Sequence, residues 1–234
     1  MILIILLLII AFINGRLLYY LGNGFIFQRK GLFLFTTDCC GKKRNLLEAL
    51  FSFRCRKCYS LLLKEETKKV MFIVQGILFL IYFYLIFIKK FEIIILIYYL
   101  SLFQLLILLS ISDFYYLMVP RFGLILLLFL FVGYNFMSYD FSLLEGSYSA
   151  FVIGAFLFLI SYFFKKIKKI EGLGIGDVYL YMLFGFNLGL EKTLLVIWVS
   201  CLFGLFYSLH KKPKGYLAFI PFLSLAYFII YFYF

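Results

Sequence analysis

Two aspartates lie in distinctive stretches of the chain, one of them apolar and the other rich in glycine. In the apolar stretch 93–139 the charged residues are Asp113 and Arg121, and Asp177 closes the glycine-rich run 172–177. A charge at the centre of a membrane-spanning helix costs about 2.5–3.5 kcal/mol on insertion scales, so such residues are usually functional or paired. Two carboxylates that share one site can hydrolyse a peptide bond, because their repulsion keeps one protonated while the other is ionised.

The chemistry of such a pair divides into two roles. The ionised carboxylate takes a proton from water, the neutral one donates to the scissile carbonyl oxygen, and the two titrate as a unit. Asp113 lies near the predicted C-terminus of a helix, where the helix dipole disfavours negative charge, whereas Asp177 lies near a helix N-terminus, where it is favoured. From these helix ends we hypothesise that Asp113 is the protonated partner and Asp177 the base.

Helix boundaries position both aspartates. Asp113 ends a predicted helix, and Pro120 follows seven residues later. Because proline suits the first turn of a helix, the segment predicts helix, short turn and next helix. Before Asp177, alternating glycines that include Gly174 and Gly176 predict close backbone approach and positive φ angles, with the aspartate at or near the start of the following helix.

The composition indicates a membrane protein. The 234 residues are 66% hydrophobic and 15% charged, with a mean hydropathy of +1.08, whereas a soluble domain is about half apolar and about a quarter charged. The net charge of +12 comes from short basic runs between apolar segments, which is the pattern of the positive-inside rule. No nucleic-acid-binding module pattern is visible, so a nucleic acid partner is disfavoured.

Eight segments approach the roughly 20 apolar residues that a spanning helix needs. The first lacks a basic start and a small-residue cleavage site, so we interpret it as a retained span and not a signal peptide. The sequence predicts an all-α fold, a polytopic helical bundle of about eight transmembrane helices in the cytoplasmic membrane. The predicted spans are 2–22, 70–88, 93–112, 119–136, 147–164, 178–190, 193–209 and 216–234.

The basic residues favour an external N-terminus. With that orientation, 19 of the 23 Lys and Arg residues fall in cytoplasmic segments and three in external ones, as the positive-inside rule requires. Both aspartates then lie at the cytoplasmic boundary, where they can meet although they are far apart in sequence. We predict a first transmembrane helix at 1–22, a basic cytoplasmic cysteine loop at 23–69 and a membrane catalytic core at 70–234.

The two aspartate motifs, in this order, resemble those of bacterial type IV prepilin peptidases. That family of Gly-x-Gly-Asp intramembrane aspartic proteases has an aspartate followed by an Ile-Pro-type turn, then a Gly-x-Gly-Asp-Val stretch. Here Asp113 is followed by Val119-Pro120, and the second motif is the segment Gly174–Val178. The segment Phe219–Leu223 is similar to the closing Pro-Phe-rich segment of the family, so the resemblance covers nearly the whole chain.

The resemblance implies an endopeptidase that removes the short basic leader of a type IV prepilin or pseudopilin precursor at the cytoplasmic face, in pilus assembly or protein secretion. Asp113 and Asp177 would be the catalytic pair, and Gly174 and Gly176 the active-site loop. Proteolysis needs no cofactor, but many members also methylate the new N-terminus with S-adenosylmethionine. The chain departs from the family at Tyr179, where lysine is common, and after Pro120, where an acidic residue is common.

The cysteines bear on a metal site. The family loop typically carries two C-x2-C pairs that suit tetrahedral zinc, and here Cys55 and Cys58 keep that spacing. Cys39 and Cys40 are adjacent, whereas zinc ligands in such loops are usually two to four residues apart. A four-cysteine zinc site and free thiols therefore both stay open, and a reducing cytoplasmic loop disfavours a disulfide.

Two other functions fit parts of the pattern. A catalytically inactive relative, kept as an assembly component, would suit the altered cysteine pair but not the intact aspartates. An ion-coupled transporter could use both carboxylates along a cation path. Transporter sites lie near the middle of the bilayer, however, and both aspartates are predicted at one boundary.

Overall fold

The chain is described by a computed structural model that covers most of its apolar segments. It is helical apart from one antiparallel pair of two-residue strands, β1 (Phe35–Thr36) and β2 (Lys43–Arg44). The predicted all-α class is therefore confirmed for these residues. The described residues are 9–15, 17–18, 35–36, 43–44, 65–89, 93–137, 143–168, 173–211 and 217–233.

The chain folds as two compact units, Met1–Ile111 and Ser112–Phe234. In the first unit, helix α1 (Glu65–Phe83) continues as a π-helix (Tyr84–Lys89), and α2 (Ile93–Tyr116) follows. The hydroxyl of the buried Tyr82 accepts hydrogen bonds from Asn14 Nδ2 at 3.2 Å and Gln104 Nε2 at 2.8 Å. These bonds satisfy polar side chains on otherwise apolar stretches of helix.

The second unit begins with the last turn of α2 and contains the remaining described helices. These are α3 (Arg121–Met137), α4 (Leu143–Lys168), α5 (Ile175–Leu188), α6 (Leu190–Lys211) and α7 (Ile220–Tyr233). A single residue, Gly189, separates α5 from α6, with φ of 80° and its N–H bonded to the Gly185 carbonyl at 3.0 Å. Only glycine adopts this left-handed conformation without steric cost, so the sequence ends α5 there.

Aromatic rings from α3, α5 and α7 form the core of this unit. Phe131, Phe184 and Tyr227 are all fully buried. The ring centroids of Phe184 and Tyr227 are 4.2 Å apart, and Phe131 lies 6.4 Å from Phe184 and 6.2 Å from Tyr227. Next to them, Asn187 Nδ2 donates to the Tyr227 hydroxyl at 2.6 Å. This contact fixes α5 against α7, the two helices that begin at the candidate site.

Three helices are long and apolar enough to cross a membrane, namely Ile94–Tyr116, Leu143–Ile167 and Leu190–His210. Four further apolar helices in the described residues are shorter, and α5 and α7 have only 14 residues each. A 14-residue helix is roughly 21 Å long, whereas the hydrocarbon core of a bilayer is roughly 30 Å thick. The long helices indicate a membrane protein.

Candidate active site

The first aspartate lies in the last turn of α2, at a turn held by side-chain and backbone bonds. The Asp113 carbonyl accepts the Leu117 N–H at 2.8 Å, and Leu117 has a φ of 53°, in the left-handed region. The buried hydroxyl of Ser112 donates to the Met118 carbonyl at 3.0 Å. Pro120 then precedes α3, and its carbonyl accepts the Gly123 N–H at 3.0 Å. The predicted helix, turn and helix are therefore confirmed.

The carboxylate of Asp113 faces the start of α7 and is only 6% exposed. The backbone N–H of Ile220 donates to Asp113 Oδ2 at 2.9 Å, and the N–H of Phe219 faces the same carboxylate. Ile220 is the first residue of α7. A side chain at the end of one helix thus accepts the unpaired N–H groups at the N-terminus of another, where the helix dipole favours negative charge.

The second aspartate is the third residue of α5, as its predicted position near a helix start requires. Gly174 is the residue before the helix, its carbonyl accepts the Asp177 N–H at 3.1 Å, and its own N–H faces the Asp177 carboxylate. A Cβ atom at Gly174 would lie 3.1 Å from Asp177 Oδ2, tighter than most real contacts. The glycine therefore leaves room for the carboxylate to fold back over the helix start.

Gly176 allows the closest approach in the site. A Cβ atom there would overlap the side chain of Val119, whose Cβ would be only 2.9 Å away. The start of α5 therefore packs directly on the turn that follows Asp113. The predicted close approach is confirmed at Gly174 and Gly176, but the predicted positive φ is wrong for both, because neither adopts it. These glycines are needed for space and not for their backbone conformation.

The two carboxylates interact in this arrangement. Asp177 precedes its predicted span and lies outside the three long apolar helices. Burial, and then the negative charge of Asp113, raise the pKa of Asp177 above its ordinary value, while the N–H of Gly174 acts in the opposite direction. Tyr181 lies one turn after Asp177 on α5, and its hydroxyl is hydrogen-bonded to Ser200 Oγ on α6 at 2.6 Å.

Sequence reasoning did not find every group in the site. It did not identify the N–H groups of Phe219 and Ile220, because backbone donors leave no trace in residue type. A weak signal was present in Pro221, since proline within the first turn of a helix marks a helix start. The contact of Val119 with Gly176 was also not predicted, because the two residues are seen to be neighbours only when the turn and α5 are placed in space.

The predicted metal ligands cannot be placed. Cys39, Cys40, Cys55 and Cys58 all lie outside the described residues. Within the described residues, no group of three or more His, Cys, Asp or Glu side chains could hold a metal ion. Cys201, on α6, is a free and exposed thiol.

The fold and the site geometry define a class of protein: a helical membrane protein in which two carboxylates interact at one site. Residues 100–209, which contain both aspartates, match the sequence model of the Type IV leader peptidase family. This match confirms the resemblance over that segment of the chain. No curated protein and no solved structure matched the chain.

Proposed function

We propose that the chain is a membrane aspartic endopeptidase that removes the leader peptide of a type IV prepilin or pseudopilin precursor. One observation carries the proposal: the helix that begins beside Asp177 packs at Gly176 on Val119, in the turn that follows the buried Asp113, and so brings the two carboxylates together. Repulsion within such a pair keeps one carboxylate protonated at a pH where the other is ionised. That charge state is the one that water-driven hydrolysis of a peptide bond needs.

In this reaction the ionised carboxylate takes a proton from water as the water oxygen attacks the scissile carbonyl carbon. The protonated carboxyl donates to the carbonyl oxygen, and the tetrahedral intermediate then collapses with a proton passing to the leaving nitrogen. General acid–base catalysis of this kind contributes typically 10²–10⁴-fold in rate. The fold supplies a dry setting for it, since the Asp113 side chain is buried.

The proposed setting is the cytoplasmic membrane, with eight spans, an external N-terminus and the site at the cytoplasmic face. The distribution of 19 of 23 basic residues supports this orientation. The substrate would be a pilin-like precursor whose apolar N-terminal helix lies in the bilayer beside the enzyme. Zinc at Cys39, Cys40, Cys55 and Cys58, and methylation of the product with S-adenosylmethionine, stay predictions of the resemblance.

The test is leader removal in cells that co-express the chain with a pilin-like precursor, scored by gel shift. Wild type should cleave the precursor. Asp113→Asn and Asp177→Asn should each lower cleavage by about 10²-fold or more, because each removes one of the two acid–base groups. Asparagine keeps the size and most hydrogen bonds of aspartate, so correct membrane insertion of each variant serves as the folding control.

Three outcomes separate the proposal from its alternatives. Failure of the inserted wild type to cleave several precursors would favour the inactive relative. Proton-coupled uptake into liposomes that depends on both aspartates would favour the transporter. Equal cleavage by the wild type and both variants would reject the aspartate pair as the catalytic group.

A further inference from the structure

Asp113 lies at the end of α2, and its carboxylate contacts the beginning of α7. Along the chain it lies in the last turn of α2, where the dipole disfavours negative charge. In space its carboxylate accepts the Ile220 N–H at 2.9 Å, at the first turn of α7. A hydrogen bond to a carboxylate is short-range and directed, so it outweighs the weaker dipole of the preceding helix.

We propose that the N-terminus of α7 holds Asp113 as the ionised, water-activating member of the pair, so that Asp177 is the protonated member that donates to the scissile carbonyl oxygen. This assignment rests on the proposed peptidase function and reverses the one that the ends of α2 and α5 suggest. Phe219 and Ile220 act through their backbone N–H groups as positioning residues, whatever their side chains contribute to packing.

The first turn of α7 leaves these two donors available. The carbonyl of Phe219 accepts the N–H groups of Phe222 and Leu223, both at 3.1 Å, and so starts the helix. Pro221 has no N–H to offer. The N–H groups of Phe219 and Ile220 precede the first intrahelical donor, and both are directed at Asp113. Hydrogen bonds to a carboxylate favour its ionised form.

Asp177 lacks an equivalent set of donors. One N–H, that of Gly174, reaches its carboxylate, and Asp113 faces it with a negative charge. Burial opposes ionisation of both carboxyls and so does not distinguish them, but the charge of Asp113 further favours the protonated acid at Asp177. The directed hydrogen bond from the Ile220 N–H to Asp113, at 2.9 Å, therefore sets the order in which the pair loses its protons.

The charged and titratable groups around the pair come from several elements. On α5, Asp177 faces Asp113, and Tyr181 lies one turn further on. The first turn of α7 carries no titratable side chain, and Tyr207 of α6 packs on it through Phe222. Two tyrosines close α2, and α3 begins with the exposed Arg121. Of these groups, Asp177 is raised in pKa by the charge of Asp113.

Under this assignment the proton transfers of the reaction balance. As the water oxygen bonds to the scissile carbon, one water proton moves to Asp113 and the Asp177 proton moves to the carbonyl oxygen. In the second step the carbon–nitrogen bond breaks, Asp177 regains its proton from the tetrahedral intermediate, and Asp113 delivers its proton to the leaving amine. Both carboxyls return to their starting states, and one water is consumed per bond.

One backbone N–H can be deleted to test the assignment. Ile220→Pro removes the donor to Asp113 at the first helical position, where proline fits best because its N–H has no helical partner. Ile220→Val keeps the N–H while it also reduces the volume of the side chain. We expect the acid limb of the kcat/KM profile for a reconstituted pilin-like precursor to move up by about one pH unit in Ile220→Pro only.

The two limbs of the profile distinguish the two assignments. The acid limb reports the carboxyl that ionises first, and the alkaline limb reports the one that holds its proton longer. Movement of the alkaline limb alone in Ile220→Pro would show that Asp113 is the protonated partner and would overturn the proposal. Unchanged limbs in both variants would overturn it as well.

A second measurement needs no activity, so it also works if Ile220→Pro is inactive or if the chain cleaves no precursor. The melting temperatures of Ile220→Val and Ile220→Pro are compared from acidic to neutral pH. A bond to an ionised Asp113 adds stability that is lost as pH falls, so the gap between the variants should widen as pH rises. A gap that is independent of pH would reject the ionised Asp113 even if leader cleavage were established.

Discussion

At the scale of single residues, the environment of Asp177 is unfavourable to its ionised form. Asp177 is largely buried beside Asp113, and both effects oppose its ionisation. A folded protein that raises the pKa of a carboxyl binds its proton more tightly than the unfolded chain does. Stability therefore falls as pH rises above the ordinary value of 3.8, and the loss is complete once the pH exceeds the raised value.

Asp177→Asn should therefore stabilise the protein while it removes activity. At neutral pH we expect the melting temperature in detergent to rise by about 2–4 °C, the shift that roughly 1 kcal/mol produces in a chain of this size. Below about pH 4 the gain should vanish, because the wild-type carboxyl is then protonated in both the folded and unfolded states. Melting curves of wild type and variant across pH measure this difference.

The Asp113→Asn background provides the control. It removes the charge that adds to the effect of burial on Asp177, so the stabilisation by Asp177→Asn should be smaller there than in the wild type. An equal gain in both backgrounds would mean that the two carboxylates do not interact. A gain that does not depend on pH would mean that packing, and not ionisation, sets the stability of the variant.

The sequence identified Asp113 because a charge in apolar surroundings is rare enough to be informative, and it identified Asp177 through the glycine motif Gly174–Val178. It also placed Asp177 at a helix start. It could not assign charge to the pair, because the donors to Asp113 come from Ile220 and its neighbour, 107 residues away in the chain. Local helix ends were the only electrostatic information that the sequence offered, and a distant helix start supplies the larger effect.

At the scale of elements, the site depends on how closely α5 packs on the turn between α2 and α3. The absent side chain at Gly176 lets the α5 backbone lie against Val119. Asp113 and Asp177 each lie within a few residues of this contact, so any separation there moves one carboxylate relative to the other. A shift of about 1 Å in a catalytic group can cost roughly 10²-fold in rate.

Gly176→Ala should therefore lower leader cleavage by about 10²-fold, and removal of the side chain opposite should restore it. The matched change is Val119→Gly, because the Cβ of valine or alanine would still lie 2.9 Å from the new methyl group. We expect Gly176→Ala with Val119→Gly to recover most of the activity, as judged by rates of precursor cleavage on membranes with equal amounts of inserted protein.

Val119→Gly alone is the control for added flexibility in the turn, and its cost should be small compared with that of Gly176→Ala. Coupling between two contacting residues appears as non-additivity of their effects. If the effects of Gly176→Ala and Val119→Gly simply add, then the glycine acts through something other than contact with the turn.

The apolar pattern also predicted where helices lie, because long runs of Leu, Ile and Phe allow little else in a membrane protein. The predicted spans 119–136 and 193–209 fall within the observed helices α3 and α6, apart from the two turn residues that precede α3. Helix lengths were harder to predict, since an apolar run continues across a turn such as that at Gly189 without a change in composition. The 14-residue length of α5 follows from a backbone angle at that glycine.

At the scale of the whole molecule, hydropathy and charge give different degrees of support for the membrane topology. Three described helices are long enough to span, whereas the charge bias supports eight crossings with an external N-terminus. Helices α3 and α5 have 17 and 14 residues, fewer than the roughly 20 that a spanning helix needs. Whether they cross decides whether the two ends of α5 are on opposite sides of the membrane.

Cysteine labelling at two exposed positions in the second unit tests this topology. Met118 lies in the turn after α2 and Glu191 lies just after α5, so three predicted spans separate them. In a chain whose five native cysteines are replaced by serine, Glu191→Cys should react with an impermeant maleimide in intact cells. Met118→Cys should react only after permeabilisation, because its turn is predicted to be cytoplasmic.

Reaction of both cysteines in permeabilised cells controls for their accessibility, and leader cleavage by each variant controls for folding. Reaction of Met118→Cys alone in intact cells would invert the topology and place the carboxylate pair at the external face. Reaction of both from one side would show that α3, α4 and α5 cross an even number of times. A helix of roughly 21 Å such as α5 would then enter the membrane without crossing it.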